Sequence, residues 1–107
     1  MNQCTGIKHD QGKAPLELLD PDALEGIARV LEFGAKKYDA DNWRGGIKFR
    51  RILGAILRHA FALLRCHDTD PESGLPAVDH LACEVMFLSY FMKYRTDLDD
   101  RWRKEQK

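Results

Sequence analysis

"DHLACEVMFLSYF", Asp79 to Phe91, is the stretch whose reading decides the fold. It is apolar almost all round, which at this length means a helix enclosed by other elements rather than one lying on a surface. Yet it carries His80 and Glu84 four residues apart, on a face shared with Phe87, Leu88 and Phe91. A glutamate in the middle of an apolar face is costly unless it is paired or bound to a cation. Either the two form a buried structural pair, or they belong to a chemical site between helices.

Outward from this stretch the chain divides cleanly. The helix around it starts near Pro76 and runs to about Arg95, with a proline at its opening. Before it, "KFRRILGAILRHAFALLRC" sets Ile52, Ile56, His59, Ala60 and Leu63 on one face and Arg51, Arg58 and Arg65 on the other. The first helix opens in "LLDPDAL", with Asp20 as N-cap and Pro21 at the first helical position. Its apolar stripe is Leu24, Ile27, Ala28, Leu31, Ala35 and Tyr38. "DADNWRGG" and "HDTDPESGLP" are turn-rich loops. Residues 1–20, broken by Gly6, Gly12 and Pro15, read as an irregular arm, and residues 96–107 as a charged tail, either a short fourth helix or a frayed end. Nothing reads as a strand. The expectation is an all-α single domain, residues 1–107, folded as a compact helical bundle with its core in residues 21–95. Helices this apolar in so short a chain imply a homo-oligomer.

Seventeen basic and seventeen acidic side chains leave no net charge, which argues against non-specific binding to nucleic acid or a membrane surface. Cys4, Cys66 and Cys83 are odd in number and form no CxxC pair, so a reducing, cytoplasmic setting is expected. The polar start "MNQCTGIKHDQGK" has no apolar signal core, and no run approaches the roughly eighteen apolar residues of a membrane span.

Several polar residues sit near apolar faces. Glu32 borders the first helix's stripe, where it either pairs with Lys36 in solvent or turns inward. His59 lies between Ile52, Ile56 and Leu63, as a bonded core residue or part of a site. Asp79 neighbours His80 on a different face. The absence of HExxH and of a cysteine pair leaves zinc weakly supported, and carboxylates favour a harder ion such as Mg²⁺ or Mn²⁺. Lys36 and Lys37 end the first helix, where they complement its dipole or, with Lys13, Arg50, Arg51 and Arg58, bind phosphate. Trp43 beside Asn42 either plugs the helix junction or stacks on a base.

The runs "KHDQGKAPLELLDPDALEGIARVLEFGAKKYDADNWRGG", "LRHAFALLR" and "DTDPESGLPAVDHLA", taken in this order, resemble the phage-borne dATP/dGTP diphosphohydrolase family, small MazG-like, MazZ-like nucleotide pyrophosphohydrolases. The resemblance spans residues 7 to about 92. It implies an oligomeric helical bundle, a dimer or tetramer, that uses Mg²⁺ or Mn²⁺ to cleave a purine deoxynucleoside triphosphate, dGTP ahead of dATP, to monophosphate and pyrophosphate. The MazG pattern is ExxE on one helix and ExxD on the next. Here His59 stands at the first acid, Ala62 at the second and Glu84 at the aspartate, so the acids are not the standard set. On this reading Glu32, His80 and Glu84 hold the ion with Asp79 at its edge. His59 or Glu84 takes a proton from water, Lys13, Lys36, Lys37 and Arg58 neutralise the phosphates, and Asn42 and Trp43 contact base or sugar. The competing reading is a non-catalytic helical interaction module with a buried His80–Glu84 pair. An HD-type phosphohydrolase fits poorly, because the helical pair is Asp79-His80 and His9-Asp10 lies in the arm.

Overall fold

A computed structural model describes residues 4–105. Helix α1, Pro21–Lys37, begins where its cap signal lies: Asp20 Oδ2 accepts the Ala23 N–H at 2.8 Å, with Pro21 at the first position. Helix α2 spans Phe49–Leu64 and helix α3 Ala77–Tyr94. Short 3-10 turns occupy Leu16–Leu18, Asn42–Gly45 and Thr96–Leu98. Among the described residues there is no strand, only an isolated bridge between Thr69 and Pro76. The chain is all-α, as its periodicity requires.

Helix α3 is the central element, packed along α2 and, over a shorter stretch, against α1. Phe49 and Ile52 of α2 meet Phe91 of α3 in the core, with Trp43, Phe87 and Leu98 around them. Helix α2 ends in a Schellman motif. The Cys66 N–H bonds Leu63 O at 3.0 Å and the His67 N–H bonds Ala62 O at 2.9 Å, with Cys66 at φ +61 in the position usually given to glycine.

Among the described residues the tail forms no further α-helix, only the 3-10 turn Thr96–Leu98, and it is tied down where it leaves α3. Arg95 Nη1 donates to Gly45 O at 3.3 Å, and Leu98 packs on the core. Asp100 Oδ1 accepts the Arg50 N–H at 2.9 Å, capping a helix whose own N-cap, Lys48, supplies no side-chain acceptor. Gly46, at φ +108, must be glycine on two counts: a Cβ there would also lie 2.9 Å from Leu98 Cδ1.

One copy of this bundle is thinly cored. Its accessible surface is 8937 Å², against about 6,000 Å² for a compact monomer of this mass. Its radius of gyration is 18.2 Å, against about 13 Å for a compact domain of this length. Leu57, Phe61 and Leu64 form an exposed apolar stripe on α2, and Val78, Val85 and Met92 another on α3.

Two substitutions check these local assignments by urea unfolding. Cys66→Gly is expected to gain about 0.5–1 kcal/mol, the relief of left-handed strain less the extra chain entropy of glycine. Asp100→Ala is expected to lose about 1 kcal/mol, the usual worth of an N-cap. A neutral Asp100→Ala would mean that the tail does not cap α2 in solution.

Candidate functional site

The loop after α2 is tied by one aspartate. Asp70 Oδ2 accepts from the Ser73 N–H at 3.0 Å and from the Ser73 hydroxyl at 3.1 Å, an Asx-type turn closed by Gly74 at φ +75. The Gly74 N–H returns to Asp70 O, and the Asp70 N–H reaches Leu75 O, both at 2.8 Å. These bonds aim the remaining carboxylate oxygen, Asp70 Oδ1, at α2, where His59 Nε2 meets it at 3.2 Å.

The other nitrogen of the same ring, His59 Nδ1, lies 2.9 Å from Glu84 Oε1 on α3. Two carboxylates on one imidazole are satisfied in either of two ways: an imidazolium donates to both, or one carboxyl keeps a proton and donates to the ring. Burial works against charge on His59, but its bonds to Glu84 and Asp70 outweigh that and hold its pKa above the ordinary value. Burial pushes the Glu84 carboxyl up despite His59 beside it. Burial also opposes charge on Asp70, yet the bonds from Ser73 and His59 hold that carboxyl below its usual range. All three shifts favour a proton shared within the His59–Glu84 pair over one on Asp70.

His80 completes the cluster through Ser73. Ser73 Oγ accepts the Leu75 N–H at 3.1 Å and spends its one proton on Asp70. Its 2.7 Å contact with His80 Nε2 is then donated by the ring N–H. The His80 ring stacks on His59 with centroids 5.2 Å apart and presents its edge to Phe33. The His80–Glu84 bond that a structural pair would make is absent: Glu84 reaches across to α2 instead.

A cavity of about 230 Å³ opens beside this cluster, between α1 and α3. Phe33, Tyr38, Trp43, Cys83 and Phe87 give it apolar walls, His80 lines it, and Lys37, Asp39, Asn42 and Glu72 carry its polar groups. It falls below the roughly 300–1,000 Å³ of pockets that enclose drug-sized ligands, which suits a single ring system. Burial, with Glu84 adjacent, pushes the Cys83 thiol up to about 12.

The sequence candidates fall into three groups. His59, His80 and Glu84 come together, joined by Asp70 and Ser73, which periodicity could not single out. The one signal was the Asp-to-Ser spacing in "DPES", an Asx-turn pattern. Lys37, Asn42 and Trp43 line the cavity, with Lys37 paired to Glu72. Trp43 serves the junction as well: it stacks on Phe87 at 4.5 Å, with the Arg44 guanidinium 4.5 Å from its ring. The remaining candidates stand apart. Glu32 is exposed and bonds Arg29 at 3.2 Å, not Lys36. Asp79 lies against α1, its carboxylate 2.5–2.6 Å from where a Cβ on Gly26 would be. Lys13 and Lys36 are exposed, and Arg58 borders Glu84 in a separate groove.

Among the described residues no group of three or more His, Cys, Asp or Glu side chains is arranged to hold a metal ion. The donors that come together bond one another instead.

Fold and site define a small helical domain with a ring-sized cavity beside a half-buried histidine–carboxylate network. Residues 3–101 match the family described as dATP/dGTP diphosphohydrolase, N-terminal, and the chain belongs to that family. It is similar to the dATP/dGTP diphosphohydrolase of Salmonella phage PMBT28, with 46% identity over 97 residues, covering 91% of this chain and 33% of the relative. The chain thus spans about a third of the length of that curated relative. No solved structure matches it. No helix among the described residues is long and apolar enough to cross a membrane.

Thiol accessibility tests the cavity wall. With a disulfide reagent at pH 8, the exposed Cys4 and Cys66 are expected to react at once, and Cys83 only on unfolding. Labelling of native Cys83 at the rate of Cys66 would mean that the wall is open.

Proposed function

We propose that this domain binds a purine deoxynucleoside triphosphate, dGTP ahead of dATP, and hydrolyses it in the cytosol to the monophosphate and pyrophosphate. The observation that carries the reading is the ring-sized aromatic cavity set directly against the Glu84–His59–Asp70–Ser73–His80 network, in a chain whose family name specifies both purine nucleotides. The base enters between the α1 and α3 walls, with Trp43 and Asn42 at its edge. Lys37, held in place by Glu72, offers its charge at the same cavity.

Water attacks the α-phosphorus, and the bond to the α,β-bridging oxygen breaks with its electron pair leaving on pyrophosphate. Glu84 accepts the proton of the attacking water. Burial raises its proton affinity toward the working pH, and His59 holds its other oxygen in place. Asp70 in turn fixes the His59 ring. Lys37 and Arg58, with Lys13 and Lys36 on the surface, offset charge on the phosphates. An ion arriving with a polyphosphate needs only one or two protein carboxylates, and Glu84, or Asp70 on the opposite side of the His59 ring, would supply one to Mg²⁺ or Mn²⁺. Such an ion would neutralise phosphate charge and acidify water.

Pyrophosphate release from the eight common nucleoside and deoxynucleoside triphosphates, with and without Mg²⁺ or Mn²⁺, tests the reading. Metal-dependent release concentrated on dGTP and dATP is expected. Glu84→Gln is expected to lower kcat by about 10²–10⁴-fold, the usual worth of a general base, with an unchanged helical circular dichroism signal. Full turnover by folded Glu84→Gln would end the proposal. One observation favours a second reading, a purely structural network: no buried side-chain nitrogen or oxygen among the described residues lacks a partner. That reading expects Glu84→Gln to cost stability alone.

The excess surface supports self-association, with a second copy covering the stripes on α2 and α3. Sedimentation should show a dimer or larger assembly, and Phe61→Glu with Leu64→Glu should shift it toward monomer. A monomeric wild-type chain at tens of micromolar would exclude this.

A further inference from the structure

A second cavity, of about 410 Å³, shares two lining residues with the first, Ile47 and Phe87. Its character is opposite. Arg50, Arg51 and Arg58 line it, with Gly54 and Ala55 between them, and its one acid is Glu84. Arg51, Gly54, Ala55 and Arg58 follow the i, i+3, i+4, i+7 spacing of a single helical face, so two guanidinium forks flank a low floor. The floor is low for a reason: a Cβ on Gly54 would lie 3.2 Å from Arg58 Nη1, so the bare glycine lets that side chain fold back along α2.

Most arginines outside the groove are paired, and so is Lys37. Arg29 meets Glu32, Lys37 meets Glu72, Arg44 meets Asp41, Arg95 meets Asp97, and both Arg101 and Arg103 meet Asp99. None of the three groove arginines makes a side-chain salt bridge among the described residues. Three guanidinium groups free of salt bridges around one concavity, those of Arg50 and Arg51 in the first turn of α2 and that of Arg58 near Glu84, form a site for a multiply charged anion. Glu84 alone would repel that anion, but its charge is shared with His59.

We infer that this groove seats the β- and γ-phosphates of the nucleotide whose base lies in the neighbouring cavity, and retains the pyrophosphate product until it dissociates. The inference rests on the nucleotide reading above and extends it. Base and polyphosphate lie on either side of the Ile47–Phe87 wall, with Glu84 in the groove and His80 in the ring cavity. The scissile α-phosphate then falls between them, beside the histidine–carboxylate network.

The test is calorimetric titration of the full chain with inorganic pyrophosphate, with and without Mg²⁺, alongside the phosphate-free ligand deoxyguanosine. Arg51→Gln, Arg50→Gln and Gly54→Leu are compared with wild type. The leucine fills the floor and leaves every charge in place. Each variant is expected to weaken pyrophosphate at least tenfold and leave deoxyguanosine unchanged. In turnover each should raise KM and relieve inhibition by pyrophosphate, with a smaller effect on kcat. Pyrophosphate affinity unmoved in all three variants overturns the inference, even if the chain hydrolyses dGTP. A change in assembly mass in place of pyrophosphate affinity also overturns it, and makes the groove a contact between copies. Pyrophosphate binding lost in the variants of a chain that hydrolyses no nucleotide overturns the catalytic proposal instead, and leaves an anion site.

Discussion

Glu84 cannot be buried alone. A carboxylate inside the α2–α3 interface must find a partner or give up its charge, and the rest of the site follows from the partner it finds. His59 reaches it from α2, and the second nitrogen of that ring then needs its own acceptor. Asp70 supplies one, but only because Ser73 and Gly74 bend the intervening loop back toward the helix. Ser73 has one acceptor site left, and His80 takes it. Five side chains on two helices and a loop are thereby fixed by a single desolvation problem. Changing one member alters the protonation of its neighbours as well as their geometry.

The helices were legible because each carries its own signal: Asp20 with Pro21, a Pro76 start, apolar stripes at helical spacing, and polar turns between. The site was legible only in part. Periodicity identified Glu84 and His59 as acids and imidazoles on inward faces, which needs no tertiary knowledge. It paired Glu84 with His80 because the i, i+4 rule sees only neighbours on one helix. Across an interface the nearer ring belongs to α2, and no single-helix argument finds it. Asp70 escaped for a different reason. Loop carboxylates are usually solvated, and what turns this one inward is a set of backbone bonds between residues 70 and 75. Glu32 shows the converse: a position bordering an apolar stripe still reaches solvent when a nearby arginine draws it outward.

The surface divides as sharply as the interior. A neutral chain conceals a cationic groove on α2, while arginines elsewhere on its surface are matched in local pairs. Apolar stripes on α2 and α3 remain uncovered, and the accessible area exceeds what one compact copy would leave. Net charge alone conveyed none of this, because it sums over the separation that gives each face its character.

The segment after α3 sets an order of events in folding. Arg95 and Leu98 hold the Trp43 loop, and Asp100 caps Arg50, fifty residues upstream. These contacts close loops twice as long as the 25-residue one that His59 and Glu84 close between α2 and α3. Loop length alone therefore favours the α2–α3 pair with its histidine–carboxylate network forming before the aromatic wall of the ring cavity. A chain caught between those stages would carry an assembled cluster beside an unfinished cavity.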